Sequence, residues 1–269
     1  MQFMIMRRAS QSTEEGKLPP AIEPGIFLQP SAAGVRLLRK DGQWSEQKGP
    51  FASKELVASL TVIEAESYEE AVVQVLNWPV PDASAMFEIR HAGCPGGCVG
   101  FDERGTAAGT LPVRDVGLKR FVVLIRSDAN AEADLAPPPE VIDRMNDYNE
   151  AAVRAGVLLA GEGLKSTKQS ARIQFANSLT SVVDGPFTEV KELIAGYWML
   201  QAESLEAAAA WARQYPYPGD GDLVLELREV CELPGYATFT PEMRKAEQQM
   251  RALMLEAGLR SAFSSAGGS

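Results

Sequence analysis

Apolar residues along the chain recur in two rhythms. Residues 139–155 place Val141, Met145, Tyr148, Ala152 and Ala155 three or four apart, the spacing of an amphipathic helix. A second helix is predicted from Ser67, where Ser67-Tyr68-Glu69-Glu70 reads as a capping box. A third starts at Ser204 and carries Leu205, Ala208, Ala209 and Ala212 on one face. Near the end of the chain Thr240 can cap and Pro241 fits the first helical position. Met243, Ala246, Met250, Leu253, Met254 and Ala257 then form a stripe that ends at Gly258. This last helix packs on its own domain or meets a partner. Residues 193–200 behave differently: Leu193, Ala195, Tyr197 and Met199 alternate with Ile194, Gly196, Trp198 and Leu200. A strand apolar on both faces needs cover on both, whereas a sheet with helices on one side and water on the other needs one apolar face.

Laying the chain on itself suggests what the cover is. At an offset of 136, Leu28 falls on Leu164, Arg36 on Arg172, and Gly49-Pro50-Phe51 on Gly185-Pro186-Phe187. At 137, Lys54-Glu55-Leu56 falls on Lys191-Glu192-Leu193, Ser67 on Ser204, Glu69 on Glu206, Ala71 on Ala208 and Pro79 on Pro216. At 138, Glu88 and Arg90 fall on Glu226 and Arg228. The first strands, near Phe3 and Phe121, align at 118, so the first copy is shorter between its first strand and Leu28. It has there a polar stretch with Pro19, Pro20 and Pro24, unfit for more than a turn of helix. Each copy reads as strand, helix (lost or shortened in the first), two strands, strand, helix, strand. The predicted fold is α+β: two ferredoxin-like modules in tandem, their sheets packed face to face as an intramolecular dimeric α/β barrel. The boundaries expected are residues 1–92, a Gly- and Pro-containing linker at 93–117, a second module at 118–230, and a helical extension and tail at 231–269.

Composition narrows the partners. The formal charge is −10 over 269 residues, with basic side chains scattered among acids, which disfavours nucleic acid. No apolar run reaches the roughly 20 residues of a membrane helix, and three cysteines are too few for a disulfide scaffold, so a cytoplasmic protein is expected.

The second copy carries Gly161-Glu162-Gly163-Leu164, Arg172, then Asp184-Gly185-Pro186-Phe187-Thr188-Glu189-Val190-Lys191-Glu192, and closes on Glu226-Leu227-Arg228. In that order and spacing it resembles the YCII-related, DGPF-motif family over residues 119–230. The resemblance implies a small ferredoxin-like α+β module of a kind that forms dimeric barrels. Acid–base chemistry by a His–Asp pair has been proposed in the wider family, and some relatives resemble proteins encoded beside sigma factors, which implies a regulatory setting. The first copy departs from the motif, with Lys48 where the aspartate stands, and the chain's single histidine is His91.

Asp184 is the candidate catalytic residue: a carboxylate between two strands acts as a general base when buried beside a ligand, or else closes a turn in which Gly185 supplies an unusual backbone angle. Arg172, Glu226, Glu162, Tyr197 and Trp198 are the candidate substrate-binding residues, expected to gather near Asp184 with Lys191 and Arg228. A salt-bridge network fixing sheet register is the alternative. His91, Cys94, Cys98 and Cys231 have zinc-like spacing, but the loop between Cys94 and Cys98 reads as an ordinary linker, and neither a metal nor a cofactor is predicted. The first hypothesis is therefore a module binding a small anionic or carbonyl ligand, with proton transfer or addition–elimination as the chemistry open to it. The second is a non-catalytic regulatory or assembly protein. Either is a monomeric pseudo-dimer or a homodimer.

Overall fold

Alternating apolar residues and β-branched side chains build twelve strands, and the computed structural model describes residues 1–10, 25–52, 56–78, 85–93, 114–115, 117–176, 179–188, 192–216 and 222–231. The first half contains β1 (Gln2–Ala9), β2 (Ile26–Leu28), β3 (Val35–Lys40), β4 (Gln43–Lys48), β5 (Leu56–Glu64), α1 (Tyr68–Leu76) and β6 (Met86–His91). The second contains β7 (Lys119–Arg126), α2 (Ala129–Glu132), α3 (Pro139–Arg154), β8 (Leu158–Gly163), β9 (Ser170–Ala176), β10 (Leu179–Asp184), β11 (Ile194–Ala202), α4 (Leu205–Ala212) and β12 (Leu223–Cys231). Short 3-10 turns, Ser31–Ala33 and Thr167–Gln169, precede β3 and β9. The fold is α+β, with a curled, wholly antiparallel sheet among the described strands.

The helices form where the pattern places them. Ser67 accepts from the Glu70 amide at 3.2 Å and Ser204 from the Ala207 amide at 3.2 Å. The capping box at α1 is displaced by one residue: the Glu70 carboxylate reaches back to the amide of Glu66 rather than to that of Ser67. α3 has Pro139 at its start, where a missing amide proton costs nothing. The short α2, capped by Asp128, has no apolar periodicity and was not expected. The polar stretch before Leu28, most of the linker and the C-terminal helix lie outside the described residues.

Strand order is β10-β9-β6-β1-β5-β2-β12-β7-β11-β8, with the β3–β4 hairpin joined to β12. Each half therefore lends a hairpin to the other: β9 pairs with β6, and β3 with β12. Two seams join the halves. Leu28 and Phe27 pair with Val230 and Cys231, while Ala92 bridges to Leu164, so the path from β6 to β8 returns on itself. Nothing in the hydrophobic pattern distinguishes a hairpin that stays home from one that crosses, because its buried face is the same in both cases.

Three apolar cores result among the described residues. Phe3, Ile5, Phe87 and Ile89 pack under α1 with Ala171 and Ile173 of β9, and Phe121, Val123, Trp198 and Leu225 pack under α3 and α4 with Val35 and Leu37 of β3. The third lies between the halves: Met4, Met6, Leu28, Val57 and Leu60 meet Val122, Leu124, Leu164, Ile194, Tyr197 and Val230. This explains the doubly apolar strand. In β11, Tyr197 enters the core between the halves while Trp198 enters the helix-covered core, both nearly inaccessible. Each such side chain contributes about 1.5–3 kcal/mol.

Candidate functional site: two buried glutamate–arginine clusters

At the ends of the core between the halves, strand register sets a glutamate opposite an arginine supplied by the other half. Glu88 on β6 faces Arg172 on β9, and Glu226 on β12 faces Arg36 on β3. Glu88 receives Arg172 Nε at 3.0 Å, Arg8 Nη2 at 2.9 Å and Arg90 Nη1 at 3.3 Å. Glu226 receives Arg36 Nε at 2.9 Å, Arg228 Nη1 at 3.1 Å, and Arg126 Nη2. Both carboxylates are fully buried. Burial alone would push each up. Instead the three guanidinium groups around each outweigh it, holding Glu88 below the usual range and Glu226 down at about 2. Acids on α2 and after β10 add countercharge, with Glu132 3.6 Å from Arg90 and Glu192 3.5 Å from Arg126.

The Gly-Pro-Phe corners seat the crossing arginines. After β4 and after β10 the chain turns through cis Gly49-Pro50 and cis Gly185-Pro186. A Cβ on Gly49 would lie 1.7 Å from the Ser31 carbonyl oxygen, and one on Gly185 1.8 Å from that of Thr167. Glycine is thus required by close approach to the 3-10 turn, and not by the unusual backbone angle expected for Gly185. The Phe51 amide donates to Ser31 Oγ at 3.3 Å and the Phe187 amide to Thr167 Oγ1 at 3.1 Å. Each ring then lies under an arginine, Arg36 at 4.3 Å from Phe51 and Arg172 at 4.1 Å from Phe187. The corner holds an arginine flat and aims it at a glutamate of the other half.

The residues singled out in the sequence do not meet in one place. Arg172 and Glu226 belong to different clusters, each completed by the opposite half. Tyr197 and Trp198 face different cores. Glu162 pairs with Tyr197 across β8 and β11, and its carboxylate accepts from the Gly163 amide. Burial, with a smaller push from Glu162, raises the Tyr197 phenol to about 12. Asp184 is exposed at the end of β10, where it accepts from the Tyr68 hydroxyl of α1 at 2.8 Å. Lys191 lies outside the described residues, and Arg228 joins Glu226. The residues missed were Arg8, Arg126 and Glu132. Arg8 and Arg126 align at the same offset of 118 as Phe3 and Phe121, so the repeat could have found them.

The single histidine stands at the seam between β6 and β8. His91 Nδ1 is 2.7 Å from the Ala92 carbonyl oxygen, and its ring packs edge-on against Phe3. Burial first, and then Lys165, lowers its pKa, so it is neutral at pH 7. Cys231 is buried on the other seam, beside Phe27. Cys94 and Cys98 lie outside the described residues.

A groove opens between the β3–β4 hairpin and α4, lined by Gly34, Val35, Glu46, Lys48, Leu205 and Ala209, among others. The equivalent place in the other half is spanned by the Tyr68–Asp184 hydrogen bond, for which Leu205 and Lys48 have no counterpart chemistry. No helix among the described residues is long and apolar enough to cross a membrane. No curated protein matches the chain. Residues 120–233 match the family model for the YCII-related domain, and this is the part of the chain that carries the Gly185-Pro186-Phe187 corner and the buried Glu226.

Proposed function

We propose that the chain is a tandem pair of YCII-like, ferredoxin-type modules folded as an intramolecular dimeric α/β barrel, and that it works as a non-catalytic regulatory or assembly protein. The observation that carries this reading is the state of its carboxylates. Glu88 and Glu226 are each held ionised by three arginines, and a carboxylate at about 2 is a poor proton carrier near neutral pH. Asp184, the remaining acid–base candidate, is exposed and engaged by Tyr68. On this reading the Gly-Pro-Phe corner serves architecture by seating the arginine that ties one module to the next.

The groove beside α4 favours a second reading, a small-molecule site in which Lys48 meets an anionic or carbonyl group and Val35, Leu205 and Ala209 meet its apolar part. One thermal-shift screen with small carboxylic acids, aldehydes and divalent metals separates the alternatives, run on the native protein, Asp184→Asn and Lys48→Ala. The assembly reading expects no ligand to raise Tm in any of the three. A rise lost only in Lys48→Ala establishes the groove, and a rise lost only in Asp184→Asn restores acid–base chemistry and sinks the proposal.

A further inference from the structure

We infer that β10 is a docking edge for a second copy of this chain, pairing antiparallel with its own counterpart about a two-fold axis through Ser181. This deepens the assembly reading by naming the partner. β10 ends the hydrogen-bonded order of the described strands, and all six of its residues are exposed. Leu179, Val182 and Val183 are 78, 43 and 56% accessible, three of the eight large apolar side chains exposed among the described residues. An open edge offers a row of backbone donors and acceptors, and natural sheets blunt such edges with charge. The equivalent edge does so: β4 reads Gln43-Trp44-Ser45-Glu46-Gln47-Lys48, and Glu46 is ion-paired to Arg213. β10 has no charge before Asp184.

The partner follows from register. In an antiparallel pair of identical strands a two-fold axis perpendicular to the sheet keeps each face on its own side, so a residue pairs with one an even number of positions away or with itself. Centred on Ser181, Leu179 falls opposite Val183 on one face and Thr180 opposite Val182 on the other, each twice, while Asp184 lies beyond the paired stretch. Centred on Val182, Thr180 would meet Asp184 and Ser181 would meet Val183, leaving a carboxylate in the seam. Apolar and β-branched cross-strand pairs favour the first register.

The test uses the full chain. Light scattering after gel filtration is expected to give a dimer with a Tm that rises with protein concentration, and Val183→Lys a folded monomer whose Tm does not depend on concentration, whereas Gln47→Lys at the equivalent position of β4 leaves the dimer intact. With diamide as oxidant, Ser181→Cys is expected to form an intermolecular disulfide well above that of the native cysteines, and Ser45→Cys is not. A native chain that stays monomeric at every concentration overturns the inference, as does a dimer that survives Val183→Lys. Neither outcome touches the assignment of a non-catalytic role, which stands or falls on the ligand screen.

Discussion

The two buried clusters occupy equivalent places and differ at one strand position. Opposite Arg228 the chain has Gly34, and opposite Arg90 it has Ser170. A Cβ on Gly34 would come within 2.7 Å of Arg228 Cδ, so glycine lets that side chain lie close to the strand and give Nε and Nη2 to the Gln29 carbonyl at 2.9 and 2.6 Å. In the other cluster Ser170 fills this space. Arg90 gives only Nη2 to the Lys165 carbonyl, at 2.6 Å, and neither its Nε nor the Ser170 hydroxyl has a hydrogen-bond partner among the described residues. The comparison separates what the architecture requires from what it tolerates. Glutamate, three arginines and the Gly-Pro-Phe corner occur in both clusters, while the Nε that Arg228 gives to a carbonyl goes unmatched at Arg90, together with the neighbouring Ser170 hydroxyl.

The required part is where the largest effects are expected. Glu226→Gln or Glu88→Gln leaves three buried guanidinium groups facing an amide, and breaking a buried pair in this way costs about 3–5 kcal/mol, a large part of a typical domain's stability. Denaturant titrations should show both losses, and a full loss in one with none in the other would break the equivalence of the clusters. The pH dependence has a definite sign. Because Glu226 falls from an unfolded value of about 4.3 to about 2 in the fold, its contribution is complete above the unfolded value and disappears as pH falls through the folded one. Glu88, also depressed, acts in the same direction. Native protein should therefore lose stability between about pH 4.3 and 2 more steeply than Glu226→Gln does.

Much of this arrangement was legible in residues. The recurrence of Glu88-x-Arg90 as Glu226-x-Arg228, and of Arg36 as Arg172, marked the charged network, and the two apolar faces of residues 193–200 marked a covered sheet. The exchange of hairpins was not legible, since β3 and β9 bury the same side chains whichever half they join. For that reason Arg172 and Glu226, close in the family motif's order, were expected together and lie in separate clusters. The surroundings of Asp184 were illegible for a different cause. A motif aspartate beside a Gly-Pro turn has the same local sequence whether it faces a pocket or water, and only the position of Tyr68, 116 residues away, decides what it touches.

Intermediate effects are expected where the clusters diverge. Gly34→Ser brings a Cβ to 2.7 Å from Arg228 Cδ and 2.8 Å from the Leu227 carbonyl oxygen. The backbone oxygen cannot swing aside, so overpacking should cost about 1–3 kcal/mol. Ser170→Ala removes a buried hydroxyl without a partner and should be neutral or stabilising by up to about 1 kcal/mol. Opposite signs in urea midpoints are the signature sought. A loss on Ser170→Ala would mean that the hydroxyl is engaged, and that the two clusters are closer in chemistry than their contacts indicate.

The smallest effect concerns the latch between hairpin and helix. The Tyr68 hydroxyl donates to Asp184 at a solvent-exposed site, so Tyr68→Phe should cost only about 0.5 kcal/mol, the low end for a hydrogen bond that water replaces. The sharper readout is ionisation. Burial, and then Asp184, raises the Tyr68 phenol above its ordinary range, so ultraviolet titration of Asp184→Asn should show one tyrosine ionising at lower pH than in the native protein. Lys48→Asp with Leu205→Tyr transplants the pair to the other half, where the groove now lies open. If the groove exists because that pair is missing, the double variant should be more stable than its two single substitutions predict, by about 0.5 kcal/mol in a double-mutant cycle. Strict additivity would place the cause of the groove in the hairpin backbone instead.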